Sequence, residues 1–258
     1  MPLRRSKIGW CDYSGADLNF VIGCTPVSEG CAHCYAKAWA LRAGREFWDI
    51  TLYPNKLKSL LDIDVKLEPG DVPYRRGSGS KPIMFPVDLG DLFHSHVKDD
   101  FILQALSAIA SRDDADWVLL TKRPKKMLDL TNYWLDFWHL KQLPSHIWCM
   151  VTAENQKRLE KRVPILLQVK ATVLGVSAEP MLEPLDFYQW LRFGRLLDWI
   201  IVGAESGKDR RPFKVAWAED VHEQCVTASV PFFFKQRSGL YPGTNPTLRG
   251  CEIKEFPG

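Results

Sequence analysis

The chain has 258 residues, 46% of them hydrophobic, and a formal net charge of +3. This is enough apolar material for the full core of one large α/β domain or two small ones, and the small net charge removes any bulk electrostatic demand for nucleic acid while leaving room for a local basic face. Arg4, Arg5 and Lys7 precede no apolar stretch, and no apolar run approaches the ~18 residues of a membrane span, so we expect no signal peptide, no membrane contact and a cytoplasmic protein.

In chain order, residues 1–19 read as an irregular lead-in. A first strand is expected at about Asn19 to Gly23, then a cysteine-bearing loop, then a helix to about Ala43 that Gly44 stops. Residues 45–80 are the least regular part, an insertion with a short helical stretch near Leu57 and loop signals at Pro69, Pro73 and Gly77. From Pro82 onward, short apolar runs alternate with helical sequence. Strands are expected at Ile83–Val87, Trp117–Leu120, His146–Val151, Ala171–Val176, Asp198–Val202 and Val230–Phe234. Helices are expected at Asp100–Ala110, Glu154–Val163 (bounded by Pro164) and Ala216–Ser229. The last 20 residues form a loop-rich tail from about 239 to 258.

Apolar strands alternating with helices argue for a parallel sheet covered by helices, and unbroken apolar runs fit strands buried on both faces. Each run ends in polar chemistry: Cys24, Asp88, Thr121 and Lys122, Thr152 and Glu154, Ser177 and Glu179, Gly203 and Glu205, and Lys235 with Gln236. In β/α barrels that end of the strands carries the active site, whereas an open doubly wound sheet gathers its ligand at one switch point. The fold expected is therefore α/β, a partial TIM-type (β/α) barrel of six to seven parallel strands forming one domain over residues 1–258. Glu154, Glu179 and Glu205 each follow an apolar run with two residues between, so a barrel is expected to turn all three toward one cavity.

The densest chemistry lies in Cys24-Thr-Pro-Val-Ser-Glu-Gly-Cys31-Ala-His-Cys34-Tyr35, three thiols spaced C-x6-C-x2-C on one loop. Thiolates suit zinc, copper(I) and iron–sulfur clusters. Zinc needs a fourth ligand, for which His33 is the near candidate; a disulfide would strand an odd thiol. A [4Fe–4S] cluster on three cysteines keeps one iron open for a substrate or cofactor. Cys11, Cys149, Cys225 and Cys251 are expected to be small apolar residues. His94 and His96 are read as loop or capping residues before a metal pair. Arg75 with Arg76, and Arg210 with Arg211, are the only obvious basic pairs near predicted loops.

With these stretches in hand, the chain resembles the radical S-adenosylmethionine (SAM) superfamily. More narrowly it resembles the phage-associated Gp37/Gp68-like three-cysteine proteins, distantly similar to spore photoproduct lyase. The resemblance is carried by the cysteine loop, Ile8-Gly-Trp-Cys-Asp, Asp88-Leu-Gly-Asp-Leu-Phe-His, Leu120-Thr-Lys-Arg-Pro, Val151-Thr-Ala-Glu-Asn, Ser177-Ala-Glu-Pro, Ile201-Val-Gly-Ala-Glu-Ser-Gly and Pro231-Phe-Phe-Phe-Lys-Gln. It implies a [4Fe–4S] cluster on Cys24, Cys31 and Cys34, with SAM on the fourth iron, cleaved by one electron to abstract a substrate hydrogen. It further implies an electron donor such as flavodoxin or ferredoxin, and a substrate that is a nucleic acid base or nucleotide. The superfamily spacing C-x3-C-x2-C is lengthened here. SAM contacts carried over by the resemblance are His33, Tyr35, Asp88 and Asp91, Thr152 and Glu154, Ser177 and Glu179, and Gly203 and Glu205; no catalytic side chain is singled out. The rival readings are a zinc-binding barrel hydrolase and a non-catalytic nucleic-acid-binding protein with a structural cluster.

Overall fold

The computed structural model describes residues 3, 5–15, 17–65, 80–191 and 196–258. Arg75 and Arg76 lie outside the described residues. The N-terminal part holds β1 (Val21–Ile22), α1 (Tyr35–Arg42), β2 (Thr51–Leu52) and α2 (Pro54–Ser59). The main sheet comes next: β3 (Ile83–Met84), β4 (Asp116–Thr121), β5 (Ile147–Thr152), β6 (Val173–Ala178), β7 (Trp199–Gly203) and β8 (Phe232–Gln236), hydrogen-bonded in sequence order. Every neighbouring pair in it is parallel. The crossovers are α3 (Asp99–Ala110), α4 (Pro124–Phe137), α5 (Gln156–Leu166), α6 (Tyr188–Leu191) and α7 (Val215–Ala228). The result is a curled half-barrel of six parallel strands, as expected from the alternation of runs.

The two-residue period of a strand sorts the apolar runs into two cores. Leu119, Cys149, Val151, Val176, Ile200, Val202, Phe232 and Phe234 point outward to the helices. Val118, Trp148, Met150, Trp199, Ile201 and Phe233 point into the curl, where Trp10 and Phe85 join them and Phe256 packs alongside. This inner core is aromatic: Trp199 meets Trp10, Trp148 and Phe233 edge-on, at centroid distances of 6.1, 5.9 and 6.4 Å. Cys149 and Cys225 belong to the outer core, so neither thiol faces the inside of the curl. Cys11 is buried against the inner core, and Cys251, expected to be buried, is exposed.

Three boundaries differ from the sequence expectation. The predicted first strand pairs antiparallel with β2 instead of joining the main sheet, and meets the segment after β3 through a bridge between Gly23 and Gly90 and through Asn19, which accepts the Leu89 N–H. That closeness depends on glycine: a Cβ on Gly90 would sit 2.9 Å from the Val21 carbonyl oxygen and 3.1 Å from that of Gly23. Second, α5 runs through Pro164 to Leu166 rather than stopping before it, because the bond that proline forfeits lies in the final turn. Third, the tail carries a two-stranded pairing of β9 (Thr247–Leu248) with β10 (Cys251–Glu252), and Lys254 bridges to Phe233 of β8. The insertion is partly regular, since β2 and α2 fall within it.

Candidate active site

The cysteine loop lies across the C-terminal ends of the parallel strands. Cys24 follows β1, and its backbone N–H donates to the Phe47 carbonyl at 3.1 Å. Cys31 closes a 3-10 turn at Glu29–Cys31, and Cys34 is the N-cap residue of α1. All three thiols are free, half-buried and line one cavity. The same cavity is walled by Tyr35 at the start of α1, by Asp88 and Asp91 after β3, and by Thr121, Lys122, Arg123, Thr152, Ser177, Glu179 and Lys235 from the mouths of β4, β5, β6 and β8.

Three ionic grips hold the loop in place. At its start, Arg123 Nη1 donates to Cys24 Sγ at 3.4 Å and to Asp91 at 2.9 Å, while Nη2 donates to the Thr25 carbonyl at 2.9 Å. Asp91 is itself fixed by the Thr121 hydroxyl at 2.7 Å and the Phe93 N–H at 3.0 Å. Burial pushes the Cys24 thiol up to about 11, Asp91 adds to the rise, and Arg123 opposes it. His94 completes this corner. Its Nδ1 accepts the His96 N–H at 3.1 Å, which puts the proton on Nε2, 2.8 Å from the Thr25 hydroxyl. His94 is thus a buried neutral brace, with its pKa pulled down to about 4 chiefly by burial and then by Arg123.

The middle of the loop rests on Glu154, which is fully buried and pairs with Arg162 at 2.7 Å. Burial drives the Glu154 carboxyl up, and Arg162, with smaller contributions, outweighs it and holds the group below the ordinary range. Gly30 is seated on this side chain: a Cβ there would stand 3.1–3.3 Å from the Glu154 carbons. Arg158, one turn before Arg162, forks onto Glu29 at 3.0 and 3.3 Å. At the far end, His33 Nδ1 lies 3.0 Å from Glu205, and Arg211 grips the same carboxylate by its backbone N–H at 2.7 Å and its Nε at 3.1 Å. Arg211 Nη1 then reaches the Glu29 carbonyl at 2.9 Å. Burial raises the Glu205 carboxyl and the Arg211 bonds, with His33 behind them, more than reverse this.

Glu179 is employed differently. It faces the cavity, where Lys235 lies 2.8 Å from Oε1 while Trp10 Nε1 at 3.1 Å and Ser177 Oγ at 3.0 Å donate to Oε2. Gly203 lets it lie flat, because a Cβ there would come 2.8 Å from Oε1. On the adjoining wall, Asp88 accepts from Asn19, and the Tyr35 hydroxyl donates to the Asp88 carbonyl at 2.5 Å. Burial raises the Asp88 carboxyl.

The family model described as "Protein of unknown function (DUF5131)" matches residues 5–249. The chain belongs to this family. In fold it is similar to spore photoproduct lyase complexed with dinucleoside spore photoproduct, with a TM-score of 0.54 and 12% identity over 93% of this chain and 78% of that one. A mutant of spore photoproduct lyase with bound AdoMet and dinucleoside spore photoproduct gives a TM-score of 0.54 at 11% identity, with the same coverage. At this identity the likeness is one of fold, the partial TIM barrel. The comparison with curated proteins gave no match. Among the described residues no helix is long and apolar enough to cross a membrane.

For this member of the family, the cavity brings together Cys24, Cys31, Cys34, Tyr35, Asp88, Asp91, Thr152, Ser177 and Glu179. His33, Glu154, Gly203 and Glu205 stand outside its lining, so of the three equivalent glutamates only Glu179 faces it. Trp10 and Arg123 are cavity residues to which sequence reasoning gave no ligand role, whereas Lys235, read from its strand end as a partner for a carboxylate or phosphate, lines the cavity; Trp10 lies in a lead-in with no period of its own to single it out. Among the described residues no three His, Cys, Asp or Glu side chains converge to hold a single metal ion. A cubane cluster asks for something else, since each thiolate takes its own iron and the sulfurs need only share a concave wall. Three thiols on one wall, one of them already accepting an arginine N–H, suit that group.

Proposed function

We propose that this protein is a radical SAM enzyme acting on a nucleic acid base or nucleotide, akin to the Gp37/Gp68-like phage-associated proteins. One observation carries the reading: three free thiols on one loop open onto a single cavity, set with carboxylate, hydroxyl and cationic side chains, at the C-terminal mouth of a parallel half-barrel. When bound, a [4Fe–4S] cluster with SAM on its open iron supplies one-electron cleavage of SAM and removal of a hydrogen from the substrate. Cys24, Cys31 and Cys34 hold the cluster. Arg123, donating to Cys24, stabilises that sulfur as a thiolate and offsets the burial that otherwise favours the thiol.

Tyr35, Asp88, Asp91, Thr152, Ser177 and Glu179 offer the oxygen atoms to which the amino and ribose groups of SAM bind, and Lys235 neutralises a carboxylate. His33, Glu154, Gly203 and Glu205 act from behind, the first, second and fourth through the loop and Gly203 through Glu179. The plugged aromatic core below the cavity keeps water and substrate at the mouth. The one electron that this chemistry needs would come from a donor of the flavodoxin or ferredoxin class.

The test is an iron and sulfide count on anaerobically reconstituted protein and on each cysteine-to-serine variant of the three. About four irons per chain in the wild type, and loss of most of them in each variant, is the expected result. One zinc per chain, or unchanged iron in the variants, rejects the reading.

A further inference from the structure

A second cleft, about 670 Å³, opens beside the cysteine loop between the first turns of α4 and α5. Its walls carry seven cationic side chains, Lys122, Arg123, Lys125, Lys126, Arg158, Lys161 and Arg162, against two carboxylates, Asp99 and Asp129. Part of this charge is used internally: Arg123 pairs with Asp91, Arg158 with Glu29 and Arg162 with Glu154. Lys122, Lys125 and Lys161 are available. Lys161 has no carboxylate partner among the described residues and Lys122 none within ion-pair distance, while Lys125–Asp129 is a surface pair of the kind that contributes ~0–1 kcal/mol and yields readily to a competing anion. Lys126 is held by Asp99 and by the His94 and Val97 carbonyls and adds its charge from the wall.

The cleft adjoins the cysteine-lined cavity, with Lys122 and Arg123 on the wall they share. Across the cavity, Tyr35 and Trp48 are exposed, at 53% and 40% of their residue surface, and Lys37 lies 5.0 Å over Trp48. A recessed cationic track leading to a pocket whose rim bears exposed aromatic rings is the pattern that tracks a phosphodiester backbone and stacks its bases. An acidic protein partner would gain nothing from the recess or from the neighbouring pocket.

We propose that this cleft carries the backbone of a single-stranded nucleic acid whose target base enters the cysteine-lined cavity, so that the substrate is an oligonucleotide and not a free nucleotide. This rests on the radical SAM reading for the chemistry but not for the binding. The test is fluorescence anisotropy of a labelled single-stranded oligodeoxynucleotide with reconstituted protein across a salt series. The double variant Lys125→Glu with Lys161→Glu is compared with Lys141→Glu with Lys170→Glu, exposed lysines at the opposite end of the strands. The cleft variant is expected to bind at least tenfold more weakly, with its salt slope reduced by about 1.4, two phosphate contacts at ~0.7 each. The control pair should change affinity less than threefold, and iron content should be equal in all. Should the double variant fold poorly by circular dichroism, Lys161→Ala is expected to show a smaller loss in the same direction. Equal loss in cleft and control variants, no loss in either, or loss confined to reduction by an acidic flavoprotein overturns the proposal. Because anisotropy needs no turnover, its outcome is separate from that of the iron count.

Discussion

Two regions at the mouth of the half-barrel are built from the same sequence element and do opposite things. At the β6 end, Glu179 lies on the cavity wall, held by Lys235, Ser177 and Trp10, with its oxygens within reach of a ligand. At the β5 and β7 ends, Glu154 and Glu205 are turned away onto Arg162 and Arg211, and together those pairs support the cysteine loop. The difference lies in the residues just downstream of each strand. After β5 and β7 an arginine arrives within eight residues of the glutamate, at 162 and 211, and claims the carboxylate; after β6 no arginine is near in sequence and the partner is Lys235, on β8. A strand-end carboxylate is therefore a ligand group or a buttress according to whether a local guanidinium reaches it first.

The contrast is broken most severely at Glu154. Glu154→Gln leaves Arg162 buried without its charge partner, and loss of one member of such a pair costs about 3–5 kcal/mol. The urea midpoint should fall accordingly and iron retention should fall with it, because Gly30 rests on that side chain. The double variant Glu154→Gln with Arg162→Met should recover much of the stability but not the seat of the loop. If Glu154→Gln is as stable as wild type, the buttress role is wrong.

Glu179→Gln probes the other region. Its partner Lys235 is partly solvated, so removing the charge should cost about 1 kcal/mol or less in the same unfolding assay. Iron content should stay at the wild-type value while SAM affinity, measured by equilibrium dialysis, drops about tenfold. A variant that loses iron instead would move Glu179 to the buttress side.

The smallest effect is a pH dependence at His94. Its folded pKa, about 4, lies below the ~6.5 of an unfolded histidine, so the unfolded chain takes up the proton first. The stability this group contributes is complete above ~6.5 and is lost as pH falls toward 4. The groups facing it are Arg123, Asp91, His96 and Lys126. Between pH 7 and pH 5, a window above the depressed titrations of Glu154 and Glu205, wild type should lose midpoint stability and His94→Asn should lose measurably less. Equal losses would contradict the neutral-brace assignment.

Much of this molecule was legible in its residues, for identifiable reasons. Strands buried on both faces leave unbroken apolar runs, so six parallel strands and the polar character of their C-terminal ends could be read directly. Three cysteines on one loop remain visible however the chain folds. What could not be read is which side chain meets which across long separations. Trp10 is 169 residues from Glu179, and Arg211 is 182 residues from the Glu29 carbonyl it holds. Whether the first strand joins the sheet cannot be read either, because two apolar residues ending at a glycine look the same whether their partner is parallel or antiparallel. The cationic cleft is hidden in the sequence because its charge is divided between 122–126 and 158–162, joined only when β4 and β5 lie side by side.

The most direct test of the central claim is the low-temperature EPR spectrum of reduced, anaerobically reconstituted protein, recorded with and without SAM. A reduced cluster signal whose g-values shift on adding SAM is the predicted result, since only a cluster with an iron left open by Cys24, Cys31 and Cys34 can take SAM as a ligand. A signal identical in the two samples, or none at all from protein that holds zinc, would contradict it.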